Sequence, residues 1–487
     1  MKGIRTLQRA ATFIALTLAS IIANFPVQAQ GIAAFDYLEK NIRGSQVIAP
    51  LSSELFGDSV SLFNGATQLE IFDIDLKGNN ALPVKPGRRL DLSVHGSTTL
   101  NPNGSGSNFE TLGGFGTWDL SVPYMHGMFD ITYGWTAHDS NQRCSLPGPP
   151  KYNYIFNLQD IWSGVQLQIP GEGEVEVLRI GSEHVMPTDG RTYYWGTRTL
   201  HRGRCISSVS GLPGEGFEFV DSNGITYRFD VAVRRDGGVV AKATLYDTYY
   251  TQRQGIYLMA SLVRDRHGNT VNYNYVGERL MSIVSSDGRS ITLEWDQSRV
   301  VRAKANGRVW NYLYGSSFDV VNPDGSRWSY TAQGALNVDY QSLDVEGGCI
   351  YPLAFATPYT LTAVHPSGAR AVFSLEYLIH TISGTPQNWF CVVDYALNNV
   401  IKMSIATPDF FGNYSLLSKQ ISGPGLATQT WTYDYGQPET GQASFSGAYC
   451  DTCDKDKPVV VTQPDGMKIE YQLGALWGFN SGQLLAT

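Results

Sequence analysis

The sequence predicts an all-β protein. Three observations carry that expectation. Tyr, Phe and Trp together make up 12% of 487 residues, glycine contributes 51, and charged residues are sparse at 16%. No long stretch of period 3.6 with helix caps occurs. A glycine turn followed by a strand of alternating polarity recurs along the chain. The segment VNPDGSRWSYT, residues 321–331, is the clearest example. Pro323 presets φ, Asp324 bonds to nearby backbone and Gly325 accepts a positive φ; Trp328 and Tyr330 then share one face while Arg327 and Ser329 take the other.

Residues 1–29 have the pattern of a secretory signal. Lys2, Arg5 and Arg9 form a basic start, Ala10 to Ala23 an apolar run, and Val27-Gln28-Ala29 a small-residue cleavage site. The apolar run is too short for a stable span, and no later stretch is long enough to be one. The expected location is therefore secreted or cell surface, with the periplasm also fitting, reached by Sec-type export from about Gln30. Removing the three basic residues of the signal takes the formal charge from −8 to −11. That balance argues against nucleic acid or an anionic membrane surface as partner.

The remaining length exceeds one ordinary domain. Residues 30–260 are expected to form an N-terminal β-rich region and residues 261–487 a series of β-hairpins. Six cysteines, Cys144, Cys205, Cys349, Cys391, Cys450 and Cys453, lie beyond the signal. An even number in an exported chain points to disulfides, and pairing of sequence neighbours is expected: Cys144 with Cys205, Cys349 with Cys391, Cys450 with Cys453. The C-x-x-C at 450–453 lacks a second metal-binding half and a thioredoxin-like βαβ context.

The hairpin series rests on seven glycines: Gly224, Gly268, Gly288, Gly307, Gly325, Gly368 and Gly466. Asp or Asn precedes five of them, and Pro stands two before Gly325, Gly368 and Gly466. Apolar residues follow at +3, +5 and +7: Val271, Tyr273 and Tyr275 after Gly268; Ile291, Leu293 and Trp295 after Gly288; Trp310, Tyr312 and Tyr314 after Gly307. Tyr227, Phe229 and Val231 follow Gly224, and Ile469, Tyr471 and Leu473 follow Gly466, in the same way. Each turn thus opens a strand with one ring-bearing face. From Gly268 the spacings are 20, 19, 18 and 43 residues, the last read as about two units. Between 378 and 460 the period blurs; Trp431, Tyr433 and Tyr435 keep the alternation with no matching turn upstream.

Residues 265–296, DRHGNTVNYNYVGERLMSIVSSDGRSITLEWD, resemble an Rhs/YD repeat. Asp265, Gly268, Asn269, Tyr273, Tyr275, Gly277, Leu280, Gly288 and Arg289 match its D-x-x-G-N turn, Y-x-Y strand, G-x-L step and D-G-R turn. The segments 62–91, 113–123 and 216–229 resemble the part that precedes the repeats in that family, and the closing segment resembles half of a further unit. The resemblance implies a repeat β-hairpin sheet spiralling as a partial shell. It also implies a non-enzymatic scaffold, with a downstream repeat or toxin polypeptide as partner. The family's core-terminating aspartate motif is not present, and the chain ends inside a repeat, as the first part of a longer or split protein or as a short standalone member.

Two other classes fit parts of the sequence. Aromatic stripes including Trp310 and Trp328 could read cell-surface glycans if exposed, as in an adhesin. Glu172, Glu174 and Glu176 on one strand face could supply the paired carboxylates of a carbohydrate-active enzyme, although alternating acids more often protect an edge. Asp451, Asp454 and Asp456 lack the spacing of a calcium loop. His126 and His138 flank an aromatic-rich segment and are the best placed of eight histidines for a site. No cofactor is expected; there is no nucleophile elbow and no phosphate loop, and GGFG at 113–116 lacks the context of a dinucleotide fingerprint.

Overall fold

The computed structural model describes residues 54–92, 112–137, 140–146, 148–156, 158–162, 164–181, 189–243, 248–336, 338–341, 353–386, 391–395, 401–405, 410–438, 442–443, 453–477 and 480–487. The protein is all-β, with long antiparallel sheets. One helical element longer than a single 3-10 turn occurs among the described residues, Leu158–Ile161. The signal segment lies outside the described residues.

Two layers define the architecture. The first is a five-stranded antiparallel sheet in the order Asp58–Val60, Thr67–Ile71, Gly87–Asp91, Trp118–Ser121, Gly114–Phe115. The second is a ribbon of strands from Gly216–Val220 onward, each hydrogen-bonded antiparallel to the next. Its longest hairpin pairs Thr226–Ala243 with Thr248–Arg264. The second of these strands also pairs with Tyr124–Asp130, whose other neighbour is Gln166–Ile169.

The seven glycines sit where the sequence places them. Gly224, Gly268, Gly288, Gly307, Gly325, Gly368 and Gly466 have φ of 81, 88, 89, 72, 83, 85 and 85°. In the Gly288 turn the Gly288 amide donates to the Ser285 carbonyl at 3.0 Å, and the Ser285 amide to that of Arg289 at 2.9 Å. The same pair of bonds closes the turns at Gly268, Gly325, Gly368 and Gly466. Asp265 adds a side-chain clasp, its carboxylate accepting from the His267 and Asn269 amides at 2.9 Å each. The Gly307 turn is tighter: Asn306 also has a positive φ of 49°, and Ala305 pairs directly with Arg308.

The faces follow the same rule. Val271, Ile291, Leu293, Tyr312, Tyr330, Phe373 and Leu473 are buried, whereas Asn272, Asn274 and Thr292 in the opposite phase are exposed. Tyr275, Trp295 and Tyr314, at the far end of their strands, are half-buried; the Trp295 ring N–H donates to the Leu280 carbonyl at 2.8 Å.

Each period of about 20 residues contains two strands rather than one. The turns at the seven glycines therefore lie along one edge of the ribbon, and the links at 277–278, where Gly277 has φ 58°, 297–298 and 315–317 along the other. The 43-residue step from Gly325 to Gly368 is not two units. Arg327–Gln333 pairs directly with Tyr359–Val364, and the hairpin Val338–Gln341/Leu353–Ala356 is inserted between them at the linker edge. The blurred region has the same cause: Arg370–Thr381 pairs with Phe410–Gly423, bypassing the hairpin Cys391–Tyr395/Ile401–Ile405. The turn missing upstream of Trp431 is Pro424-Gly425, with Gly425 at φ 76°, joining Phe410–Gly423 to Leu426–Asp434.

Cys144 and Cys205 form a disulfide across 61 residues, as expected. Cys453 is also disulfide-bonded. The expected partner Cys450, Cys349 and the side chain of Cys391 lie outside the described residues.

The turn conformation yields a direct expectation. No atom lies within 4 Å of a Cβ added to Gly288, so only φ demands glycine there. Gly288→Ala should cost about 1–2 kcal/mol, and Gly288→Asn distinctly less. Urea unfolding of the two variants checks this; equal losses would contradict it.

Candidate functional site

What the ring-bearing face touches is the most distinctive site in the molecule. The five-stranded layer lies against it, and residues of both layers join one continuous apolar core. Phe56 packs edge-on to Trp328 at 6.1 Å, Phe115 against Tyr312 at 4.7 Å, and Trp118 against Tyr330 at 4.7 Å.

Arg88 is the polar centre of this contact. It lies on the Gly87–Asp91 strand in phase with Leu90 and is fully buried. Its guanidinium donates to both Asp73 oxygens at 2.8 and 3.1 Å and to the Tyr330 hydroxyl at 2.9 Å. It also lies 4.9 Å from the Trp118 ring centroid and 4.7 Å from that of Tyr330. Burial works against its charge, but Asp73 and Tyr330 outweigh it and hold Arg88 above its ordinary range. A bidentate, ring-flanked guanidinium fixes one orientation of the layer on the sheet.

Three cations of the ribbon reach the other way. Lys419 Nζ meets Asp58 at 2.5 Å, both side chains being almost wholly buried, above the rings of Phe373 and Trp431. Burial raises the Asp58 pKa and Lys419 opposes that rise. Lys457 Nζ donates to the Phe63 carbonyl at 2.8 Å. Arg289 donates to the Leu76 and Leu82 carbonyls at 2.8 and 3.1 Å and to Asn80 Oδ1 at 2.9 Å. Asp287 accepts from the Asn79 amide at 3.0 Å, and Arg289, first among its partners, holds its carboxylate well below the usual range. A Cβ on Gly78 would stand 2.1 Å from Arg289 Nε, so glycine is needed there for close approach. The D-G-R turn of the sequence pattern is thus a clamp on the 76–82 loop.

The acidic strand and the histidines meet in pairs. Glu174 is bonded to His126, whose ring stacks on Tyr257 at 5.1 Å. Glu172 lies 3.6 Å from His201; burial and then Asp221 raise the Glu172 pKa, while burial lowers that of His201. Glu174 and Glu172 therefore engage different histidines. Arg89 joins Asp119 and the Tyr124 hydroxyl beside His126. His138 and Asp451 lie outside the described residues. Among the described residues no group of three or more His, Cys, Asp or Glu is placed to hold a metal ion.

Trp310 and Trp328, the rings that a glycan-reading surface would need in the open, are only 9% and 8% exposed. Arg88, Lys419 and Lys457 are absent from the sequence-derived set. Their signal is a lone cation in phase with the apolar stripe: Arg88 with Leu90, Lys419 with Ile421, Lys457 with Val459 and Val461.

No protein-family model matches the chain, and no curated protein matches it significantly.

Removing one partner of a buried ion pair leaves the other uncompensated. Arg88→Ala, which strands Asp73 at 3% side-chain exposure, should therefore cost about 3–5 kcal/mol. Arg88→Lys should recover only part of that, lacking the planar fork. Chemical denaturation of the full chain measures both, and an Arg88→Lys variant as stable as the parent would refute the orienting role.

Proposed function

We propose that the chain is an exported, non-enzymatic β-scaffold of the Rhs/YD type, whose hairpin ribbon serves as a wall that encloses or presents polypeptide. One observation carries the reading: the ring-bearing face of the ribbon is filled by polypeptide, the chain's own five-stranded layer, held by Arg88, Lys419, Lys457 and Arg289. A wall lined with rings and a few buried cations suits backbone carbonyls and apolar side chains as its contents. The D-x-x-G-N and D-G-R turns, the disulfide Cys144–Cys205 and the signal-like residues 1–29 support the same reading. The expected macromolecular partner is a further β-polypeptide. It would add to the Leu484–Ala486 strand, which among the described residues pairs only with Lys468–Gly474 and exposes Leu484 and Leu485.

Expression with the native N-terminus tests this reading. The exported chain should begin near Gln30, with Cys144 and Cys205 oxidised, and should show neither glycosidase turnover nor glycan binding. Trp310→Ala should lower the unfolding temperature by several degrees. Saturable glycan binding that Trp310→Ala abolishes, with the unfolding temperature unchanged, would overturn the scaffold in favour of an adhesin.

A further inference from the structure

An Asn-Gly step is chemically labile, because glycine has no Cβ to shield its own amide nitrogen from the asparagine side chain before it. Four such steps occur in the chain: Asn64-Gly65, Asn103-Gly104, Asn223-Gly224 and Asn306-Gly307. Asn103-Gly104 lies outside the described residues. The fold treats the other three differently. Asn64 is fully buried. Its Oδ1 accepts from the Ala66 amide at 3.1 Å, and the Gly65 amide donates to the Ser61 carbonyl at 2.7 Å. The Asn64 carbonyl accepts from Ser415 Oγ at 2.7 Å and from Asn413 Nδ2 at 3.0 Å. Asn223 is exposed, but its turn is pinned. Asp221 Oδ1 accepts from the Asn223 amide at 2.8 Å, and the Gly224 amide donates to the Asp221 carbonyl at 3.2 Å. At both steps the glycine nitrogen is committed to a carbonyl.

Asn306-Gly307 has neither safeguard. Both residues are exposed, as is Arg308 after them. The turn is closed by the pairing of Ala305 with Arg308, which leaves the two central residues out of the ladder. Among the described residues neither the Asn306 side chain nor the Gly307 amide has a hydrogen-bond partner. Nothing lies within 4 Å of a Cβ added to Gly307, so no neighbour crowds the turn as it rotates.

We propose that Asn306 is a site of self-modification by deamidation, with water as the only co-reactant. The Gly307 nitrogen attacks Asn306 Cγ, and a new N–Cγ bond closes a succinimide ring. The Cγ–Nδ2 bond breaks, and the side-chain nitrogen leaves as ammonia with the proton lost by the Gly307 amide. Water then adds to one of the two ring carbonyls, and no electrons are exchanged. Opening at Cγ restores the ordinary backbone with aspartate in place of asparagine. Opening at the main-chain carbonyl leaves isoaspartate, its backbone routed through Cβ and Cγ. The first product keeps an Asp-Gly turn of the kind found at Gly288, Gly325 and Gly466. The second adds an atom to the backbone of a two-residue turn, the geometry that sets the register of Arg299–Ala305 on Arg308–Tyr314. Those strands carry the buried Ala303, Trp310 and Tyr312. Either product adds one negative charge. The inference is independent of the scaffold reading.

Prolonged incubation of the full-length chain at mildly alkaline pH, folded and in denaturing urea, tests the proposal. Peptide mass mapping then reads each Asn-Gly step separately. In urea Asn64, Asn223 and Asn306 should convert at similar rates. In the folded chain Asn306 should keep converting, to both aspartate and isoaspartate. It should do so several-fold faster than Asn223, whose Gly224 amide must first break a hydrogen bond, and faster still than the buried Asn64. Conversion of Asn306 in the folded chain no faster than that of Asn223 or Asn64 would overturn the proposal. So would a lead of Asn306 that persists undiminished in urea, since it would then belong to the local sequence and not to the fold.

Discussion

A sheet face made of rings cannot be left to water, and the molecule is organised by what covers it. Burying a Tyr, Phe or Trp side chain removes about 150–250 Å² from solvent. The ribbon offers such residues on strand after strand: Tyr273, Tyr312, Trp328, Tyr330, Phe373, Trp431. Apolar contact alone does not specify how a covering layer sits. Arg88, Lys419, Lys457 and Arg289 supply direction, since each must find particular acceptors and would be costly if displaced. Hydrophobic area supplies the adhesion between the layers and these cations supply the register.

Much of the ribbon is legible in the sequence because its rules are local. A positive φ at Gly288 and a two-residue side-chain period need only a few neighbouring residues to be read. Reading fails where the rule is not local. A hairpin inserted at 338–356 gives the Gly325–Gly368 step nearly the length of two units, and only strand pairing reveals that it is one. Pro424-Gly425 escapes notice because Pro replaces the polar residue that precedes each of the seven glycines. The cation clamps join residues such as Asp58 and Lys419, 361 positions apart, which no spacing argument connects. Yet each clamp leaves a trace: a cation where the alternation calls for an apolar residue. The acid strand at 172–176 and His126 are both visible in the sequence, but their pairing through Glu174 is not.

The two edges of the ribbon are unequal. One is confined to tight glycine turns, each closed by its own hydrogen bonds. At the other, among the described residues, the chain leaves the ribbon after Gln333, Thr381, Asp434 and Gly474 and re-enters it at Tyr359, Phe410, Asp456 and Leu484. An insertion at the linker edge leaves the pairing of its flanking strands intact, as Arg327–Gln333 with Tyr359–Val364 demonstrates. Variation in length is absorbed on that side, while the turn edge keeps the ring faces in phase.

The clasp between Asp58 and Lys419 also dictates a sequence of events. The strand that carries Asp58 is made early, whereas Lys419 and Lys457 come from the last quarter of the polypeptide. Contacts this distant in sequence form slowly, so the strand that carries Asp58 is synthesised well before its buried partner. The Asp58 clasp therefore closes only after a strand made 361 positions later has joined the ribbon.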